Sequence, residues 1–249
     1  MLTLQADEVH VWYAYTDKCR APELRGDYYG LLSPQESQRL ARYAFENLKV
    51  EFLLTRALCR IVLSQYARVD PAAWRFGQNE YGRPQLLGPA PGLALDFNLS
   101  NTPSLVAIAV TRGVGGLGID VEELDTRPAP IETAGRYFSS SEYAGLQALS
   151  CAAQSQRFFD LWTMKEAYIK ARGQGLAIPL QAFSICLDNG QVAVEFDERM
   201  KQRSDDWQFS LHRLQSRHNL AVCVRRPEAG LARISLNEVV PDLKAVWPS

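Results

Sequence analysis

Apolar residues along the chain change their period again and again, and each change predicts an element. Val9–Tyr15 alternates closely enough for a strand. Ser33-Pro34-Gln35-Glu36 then predicts a helix start, with Ser33 as N-cap, Pro34 at the first helical position and Glu36 completing a capping box; this helix is expected to reach about Phe45. From about Lys49 to Ala67, residues Val50, Leu53, Leu54, Ala57, Leu58, Ile61 and Val62 follow the three-and-four spacing of a core-facing helix. Arg56 and Arg60 share another face, either solvated or aimed at an anion. Beyond Pro71 the texture becomes strand and turn. Strands are expected near 74–76, 95–99, 105–110 and 117–121, with loops over 79–84 and Pro89–Gly92. A Pro-containing connection over 125–130 leads to a helical segment near 141–149. A long helix is then expected from about Ala153 to Ala171, closed by Gly173. Phe183–Leu187 and Gln191–Phe196, joined by Asp188-Asn189-Gly190, predict a hairpin, and Trp207–Leu214 and Leu220–Val224 two further strands.

Helices followed by antiparallel strands thus occur twice. The order predicts an α+β protein of two similar lobes, residues 1–114 and 115–249, with a ligand cleft at their junction.

Composition narrows the function classes. With 47% apolar and 22% charged residues and a net charge of -1, the chain carries no bulk positive field for nucleic acid or an anionic membrane. No stretch approaches the ~20 apolar residues of a membrane span. The start Met-Leu-Thr-Leu-Gln-Ala-Asp-Glu lacks a signal-peptide pattern, so a cytoplasmic protein is expected. Five scattered cysteines and no Cys-x-x-Cys pair argue against a disulfide framework or zinc site. Only three histidines are present, none beside a Ser, Cys or carboxylate motif, which disfavours a histidine-based nucleophile system. Any metal must be held by carboxylates and is therefore a hard cation such as magnesium.

Two segments carry candidate chemistry. In Leu117-Gly118-Ile119-Asp120-Val121-Glu122, strand alternation puts Asp120 and Glu122 on one face. Two like charges there are either a solvated acidic edge or the walls of a cation site. In the helix around Trp162-Thr163-Met164-Lys165-Glu166-Ala167-Tyr168-Ile169-Lys170, Trp162, Glu166 and Lys170 recur at four-residue spacing on one face. In isolation, Glu166 and Lys170 would be an ordinary surface pair worth ~0.3–0.5 kcal/mol. Two lysines flanking a glutamate also suit a metal-bound pyrophosphate.

Together, Gly118–Glu122 and Trp162–Lys170 resemble the surfactin-synthetase (Sfp) type of 4'-phosphopantetheinyl transferase. The resemblance extends to Trp74-Arg75-Phe76 with Glu80–Pro84, to Phe97–Ser100, to Arg136–Ser139 with Glu142, and to Gly173–Leu176 with Pro179-Leu180. It implies a pseudo-twofold, two-lobed monomer with coenzyme A as co-substrate and acyl- or peptidyl-carrier proteins as partners. A carrier serine would attack the β-phosphate, and adenosine 3',5'-bisphosphate would leave. Asp120, Glu122 and Glu166 would hold Mg2+, Glu166 would double as base, and Lys165 and Lys170 would meet phosphate. Tyr81, Gly82, Arg83 and Pro84 would lie along the adenine. Arg39 and Arg42 would serve the 3'-phosphate, and Ser100 and Asn101 would line the phosphate side.

The chain departs from that pattern at three places. Glu36 stands where the prototype has lysine, Glu51 where it has arginine, and Asn101 where a histidine is usual. Asn101 cannot carry charge, so weaker coenzyme A binding is expected, and Asn101→His is expected to tighten it. Arg56 is a candidate to compensate. The alternative reading is a homologue that binds coenzyme A or a carrier without transfer.

Overall fold

The computed structural model describes the chain except residues 90, 91, 93, 114, 127, 189, 190, 227–229 and 247–249. The chain forms two compact units, one of residues 1–79, 84–114 and 233–249, the other of residues 80–83 and 115–232.

The first unit is built on a four-stranded sheet. Its strands are β1 (Glu8–Tyr15), β4 (Leu95–Asn101), β5 (Leu105–Arg112) and β11 (Arg233–Glu238), in the order β11-β1-β5-β4; β2 (Arg75–Gln78) and β3 (Pro84–Gly88) pair separately. Three helices accompany it: α1 (Pro22–Gly30), α2 (Pro34–Ala41) and α3 (Glu46–Tyr66). α3 delivers Leu53, Leu54, Ala57, Leu58 and Ile61 to a core shared with Val106, Ile108 and Val110 of β5. Each buried Leu or Ile contributes roughly 1.5–3 kcal/mol over an exposed one, so the apolar stripe fixes which face of α3 meets the sheet. The Ser33–Glu36 capping box starts α2, with both reciprocal hydrogen bonds formed.

The second unit repeats the scheme. β6 (Leu117–Glu123), β9 (Trp207–Leu214) and β10 (His218–Arg225) form an antiparallel sheet of order β6-β10-β9, and β7 (Phe183–Asp188) and β8 (Gln191–Phe196) form a hairpin. α4 (Ser140–Gln147) opens with a second capping box, Ser139 with Glu142. α5 (Cys151–Arg172) covers the sheet and stops at Gly173, whose left-handed backbone (φ 64°) turns its amide back to the carbonyls of Ile169 and Lys170. The fold is α+β.

The structure corrects the sequence reading at several points. Residues 233–249 do not belong with the second lobe: β11 runs parallel to β1, with Ile234 beside Val9 and Leu236 beside Val11. α1 was not anticipated, since Gly26 and Gly30 lower its propensity and only Tyr28 of it is buried. α2 ends at Ala41 rather than near Phe45, because the amides of Arg42 and Tyr43 tighten onto Arg39 and Leu40. Part of the expected 89–92 loop, one residue of the 125–130 connection, and Asn189-Gly190 of the expected hairpin turn lie outside the described residues. Among the described residues, no helix is long and apolar enough to cross a membrane.

Candidate active site

In the second unit, α5 lies antiparallel along one face of β6, and Gly118 makes the close approach possible. A Cβ at Gly118 would collide with the carbonyl oxygen of Ala167 and the amide nitrogen of Ala171. Gly118, Asp120 and Glu122 occupy the same face of the strand. Ascending β6 therefore matches descending α5: Gly118 abuts Ala167 and Ala171, Asp120 meets Lys170, and Glu122 meets Trp162.

The contacts are specific. Lys170 Nζ lies 2.7 Å from Asp120 Oδ1, with Asp120 only 6% exposed. Trp162 Nε1 donates to Glu122 Oε1 at 2.9 Å, and its ring meets Tyr137 edge-on at 5.4 Å between centroids. Glu166 stands on α5 between these two contacts. Burial pushes its carboxyl up from 4.5 to about 7; Asp120 adds to the rise, Lys170 opposes it, and Glu122 adds further. The strand and helix thus bring Asp120, Glu122, Glu166 and Lys170 into one electrostatic unit.

Lys165 is a correction. Rather than facing a phosphate, it is wholly buried, 2.8 Å from Glu142 Oε2, and donates to the carbonyls of Leu180 (2.8 Å) and Phe183 (2.5 Å). These three acceptors match the three protons of an ammonium. Burial pushes its pKa down, against the pull of Glu142. Lys165 therefore ties α5 to α4 and to the segment before β7. The Ser-x-x-Glu spacing of 139–142, the same as at 33–36, is the sequence signal that Glu142 caps a helix.

Among residues 80–83, Tyr81 is 47% exposed and Gly82 has φ +85°. Arg83 Nη1 is committed to carbonyls at the end of α5, Lys170 at 2.6 Å and Ala171 at 2.9 Å, so this nitrogen caps a helix. Pro84 opens β3.

The first unit carries the remaining expected residues. Arg39 on α2 and Arg42 just past its end are exposed, and the guanidinium of Arg39 lies 5.4 Å from the Phe52 ring centre. Arg56 lies over the same ring and 3.7 Å from Glu36. Arg60 is neither solvated nor open to an anionic ligand. It is 1% exposed and is held by Glu36 (2.7 Å) and by the carbonyls of Pro71 and Trp74. Burial raises the Glu36 carboxyl, but the Ser33 amide, Arg60 and Arg56 outweigh it and the net shift is downward. Glu36 is thus a structural anion in this chain. Ser100 is buried, and the exposed Asn101 donates its side-chain amide to Glu51. Two of the three departures from the family pattern are therefore partners of each other.

Comparison with known proteins settles the family. The chain is 30% identical to the 4'-phosphopantetheinyl transferase Sfp of Bacillus subtilis (strain 168), over 88% of this chain and 93% of that protein. The chain belongs to the 4'-phosphopantetheinyl transferases. The profile of the 4'-phosphopantetheinyl transferase superfamily matches residues 116–223 of this transferase, from β6 into β10, and so includes Asp120, Glu122, Glu142, Trp162, Lys165, Glu166 and Lys170. The 4'-phosphopantetheinyl transferase HetI of Nostoc sp. (strain PCC 7120) is 36% identical over 71% of the chain and 73% of its own length. Among solved structures, the holo-[acyl-carrier-protein] synthase of Thermotoga maritima matches 45% of this chain and 64% of its own, at 21% identity and a TM-score of 0.36.

Among the described residues, no three His, Cys, Asp or Glu side chains are gathered as a ready metal cage. Asp120 is drawn to Lys170, and Glu122 to Trp162. The donor set nevertheless fits a hard divalent cation. It consists of carboxylates alone, and burial, followed by the charge of Asp120, raises the Glu166 carboxyl above its ordinary range.

Proposed function

We propose that this transferase moves the 4'-phosphopantetheine group of coenzyme A onto a serine of an acyl- or peptidyl-carrier protein, with Asp120, Glu122 and Glu166 holding Mg2+. The observation that carries the reading is the antiparallel contact of β6 and α5, in which Asp120 meets Lys170, Glu122 meets Trp162, and Glu166 lies on α5 between those contacts. The carrier serine oxygen forms a bond to the β-phosphorus of coenzyme A. The bond from that phosphorus to the bridging oxygen breaks, and adenosine 3',5'-bisphosphate departs with the electron pair. A bound divalent cation supplies charge neutralisation for the pyrophosphate.

The side chains supply the rest. Glu166 takes the proton of the attacking hydroxyl, directly or through water. Lys170 exchanges Asp120 for a phosphate oxygen, and Trp162 keeps Glu122 oriented. Arg39 on α2 and Arg42 just past its end, both exposed, are the cations offered to a nucleotide phosphate. Tyr81, Gly82 and Pro84, with Ser100 and Asn101, complete the coenzyme A contacts in this reading. Tyr137, 38% exposed beside Trp162, is offered as a carrier contact. A monomer in the cytosol completes the reading, supported by five free cysteines.

The test is incubation with coenzyme A, Mg2+ and unmodified carriers of the fatty acid, polyketide and nonribosomal peptide classes, followed by mass spectrometry of the carrier. The expected result is attachment of one phosphopantetheine group, lost on chelation of the metal and in Glu166→Ala. Modification that survives both treatments would refute the assignment of the acids.

A further inference from the structure

Across the β6–β10 register, the residues facing α5 beside the acids are small, with one exception. Cys223 stands opposite Gly118 and Ala221 opposite Asp120, but Asn219 stands opposite Glu122. Asn219 is fully buried. Its Nδ2 donates to Asp160 Oδ1 on α5 at 2.9 Å. The same Asp160 oxygen accepts from Arg213 Nη2 at 3.0 Å, and Arg213 is the register partner of Asn219 on β9. An ionised carboxylate only accepts, so Asp160 fixes which end of the carboxamide is which. The amide faces Asp160, and the carbonyl oxygen is left over. Among the described residues no donor reaches Asn219 Oδ1.

A buried carbonyl left without a donor is unfavourable, so a ligand that reaches it is favoured. Arg213 and Asp160 hold it one strand away from Glu122, whose side chain lies on the same face. Directly opposed side chains in a sheet start from Cβ atoms about 4.5–5.5 Å apart. An oxygen donor oriented by a charged pair beside a carboxylate is the arrangement by which outer residues tune a cation site.

Resting on the carboxylate reading above, we propose that Asn219, oriented by Asp160 and Arg213, is a positioning residue of the cation site. It stands beside Glu122 in the strand register and presents its carbonyl oxygen to a divalent cation or its hydration shell.

The test is direct titration of Mn2+ into the full chain, free of coenzyme A and carrier, reading free Mn2+ by electron paramagnetic resonance. Wild type and Glu166→Gln come first. If Glu166→Gln binds as tightly as wild type, the carboxylate reading falls and this inference with it. With that control weakened, Asn219→Leu, which keeps the volume and removes both polar atoms, is expected to bind roughly ten- to a hundredfold more weakly. Wild-type affinity in a folded Asn219→Leu protein overturns the Asn219 role alone. The exchange Asp160→Asn with Asn219→Asp keeps the hydrogen bond between the two positions and the net charge, while placing a carboxylate beside Glu122. It is expected to bind the cation at least as tightly as wild type, whereas a merely structural brace would recover thermal stability and leave affinity where Asp160→Asn alone sets it. If neither variant folds, the network serves the fold alone and the inference fails.

Discussion

Glu166 and Lys165 are neighbours in sequence, yet the structure gives them opposite tasks. Glu166 shares its field with Asp120, Glu122 and Lys170, and its carboxyl is raised from 4.5 to about 7. Between those two values the unfolded chain has released the proton and the folded chain retains it. Linkage then makes stability fall as pH rises across that window. In metal-free buffer, Glu166→Gln is therefore expected to gain thermal stability over wild type progressively from about pH 4.5 to 7 and to hold that gain above. Parallel melting curves in chelator at fixed pH steps check this, and a constant gap across the range would contradict it. Lys165 is different, because its charge is buried against Glu142. Lys165→Met leaves that carboxylate without its cation and is expected to cost about 3–5 kcal/mol in denaturant unfolding. Adding Glu142→Gln should recover much of the loss, which a phosphate-binding lysine would not show. The sequence made the lysine–glutamate motif plain but not this division of labour. On a helix, positions 165 and 166 differ by about 100° in direction, and only the packing of α4 and of the turn before β7 decides which of them is enclosed.

At the scale of elements, β4 and α3 meet through Asn101 and Glu51. Burial raises the Glu51 carboxyl and the amide of Asn101 pulls it back. The sequence reading expects Asn101→His alone to tighten coenzyme A binding. The structure changes that expectation, since a histidine there would find Glu51 first. Calorimetric titration of coenzyme A is expected to show little change for Asn101→His and little for Glu51→Arg. The double variant should tighten binding by more than the sum of the two, as groups in direct contact couple. Additivity would show that the pair is incidental. Period-two and three-and-four patterns made β1, α3, α5 and the β7–β8 pair legible, because burial on one face writes directly into the spacing. α1 and β11 left weaker traces. α1 buries little, and β11 is an edge strand whose only signal is the alternation of Ile234 and Leu236. The need for glycine at 118 comes from helix-to-strand contact, which has no signature in the sequence.

On the scale of the whole molecule, β11 is the element that most changes the reading. It covers the outer edge of β1 in parallel pairing from Glu8–Arg233 to Tyr13–Glu238, and beyond it Tyr28 Oη donates to the carbonyl of Pro241 at 2.6 Å. Deleting the chain after Ala232 is expected to expose the β1 edge and leave the first unit less stable and prone to association. Hydrogen exchange should show lost protection in β1, with β6, α5 and β10 largely unchanged; equal loss in both units would contradict the division. The same strand bears on synthesis. Residues 115–232 lie wholly between the two stretches that build the first sheet, so the ribosome releases the segments of the second sheet before the last strand of the first. Domains generally complete in the order they emerge. Here the unit that begins the chain is the last to be finished, and until residue 238 is made its edge stands open to any strand that comes near.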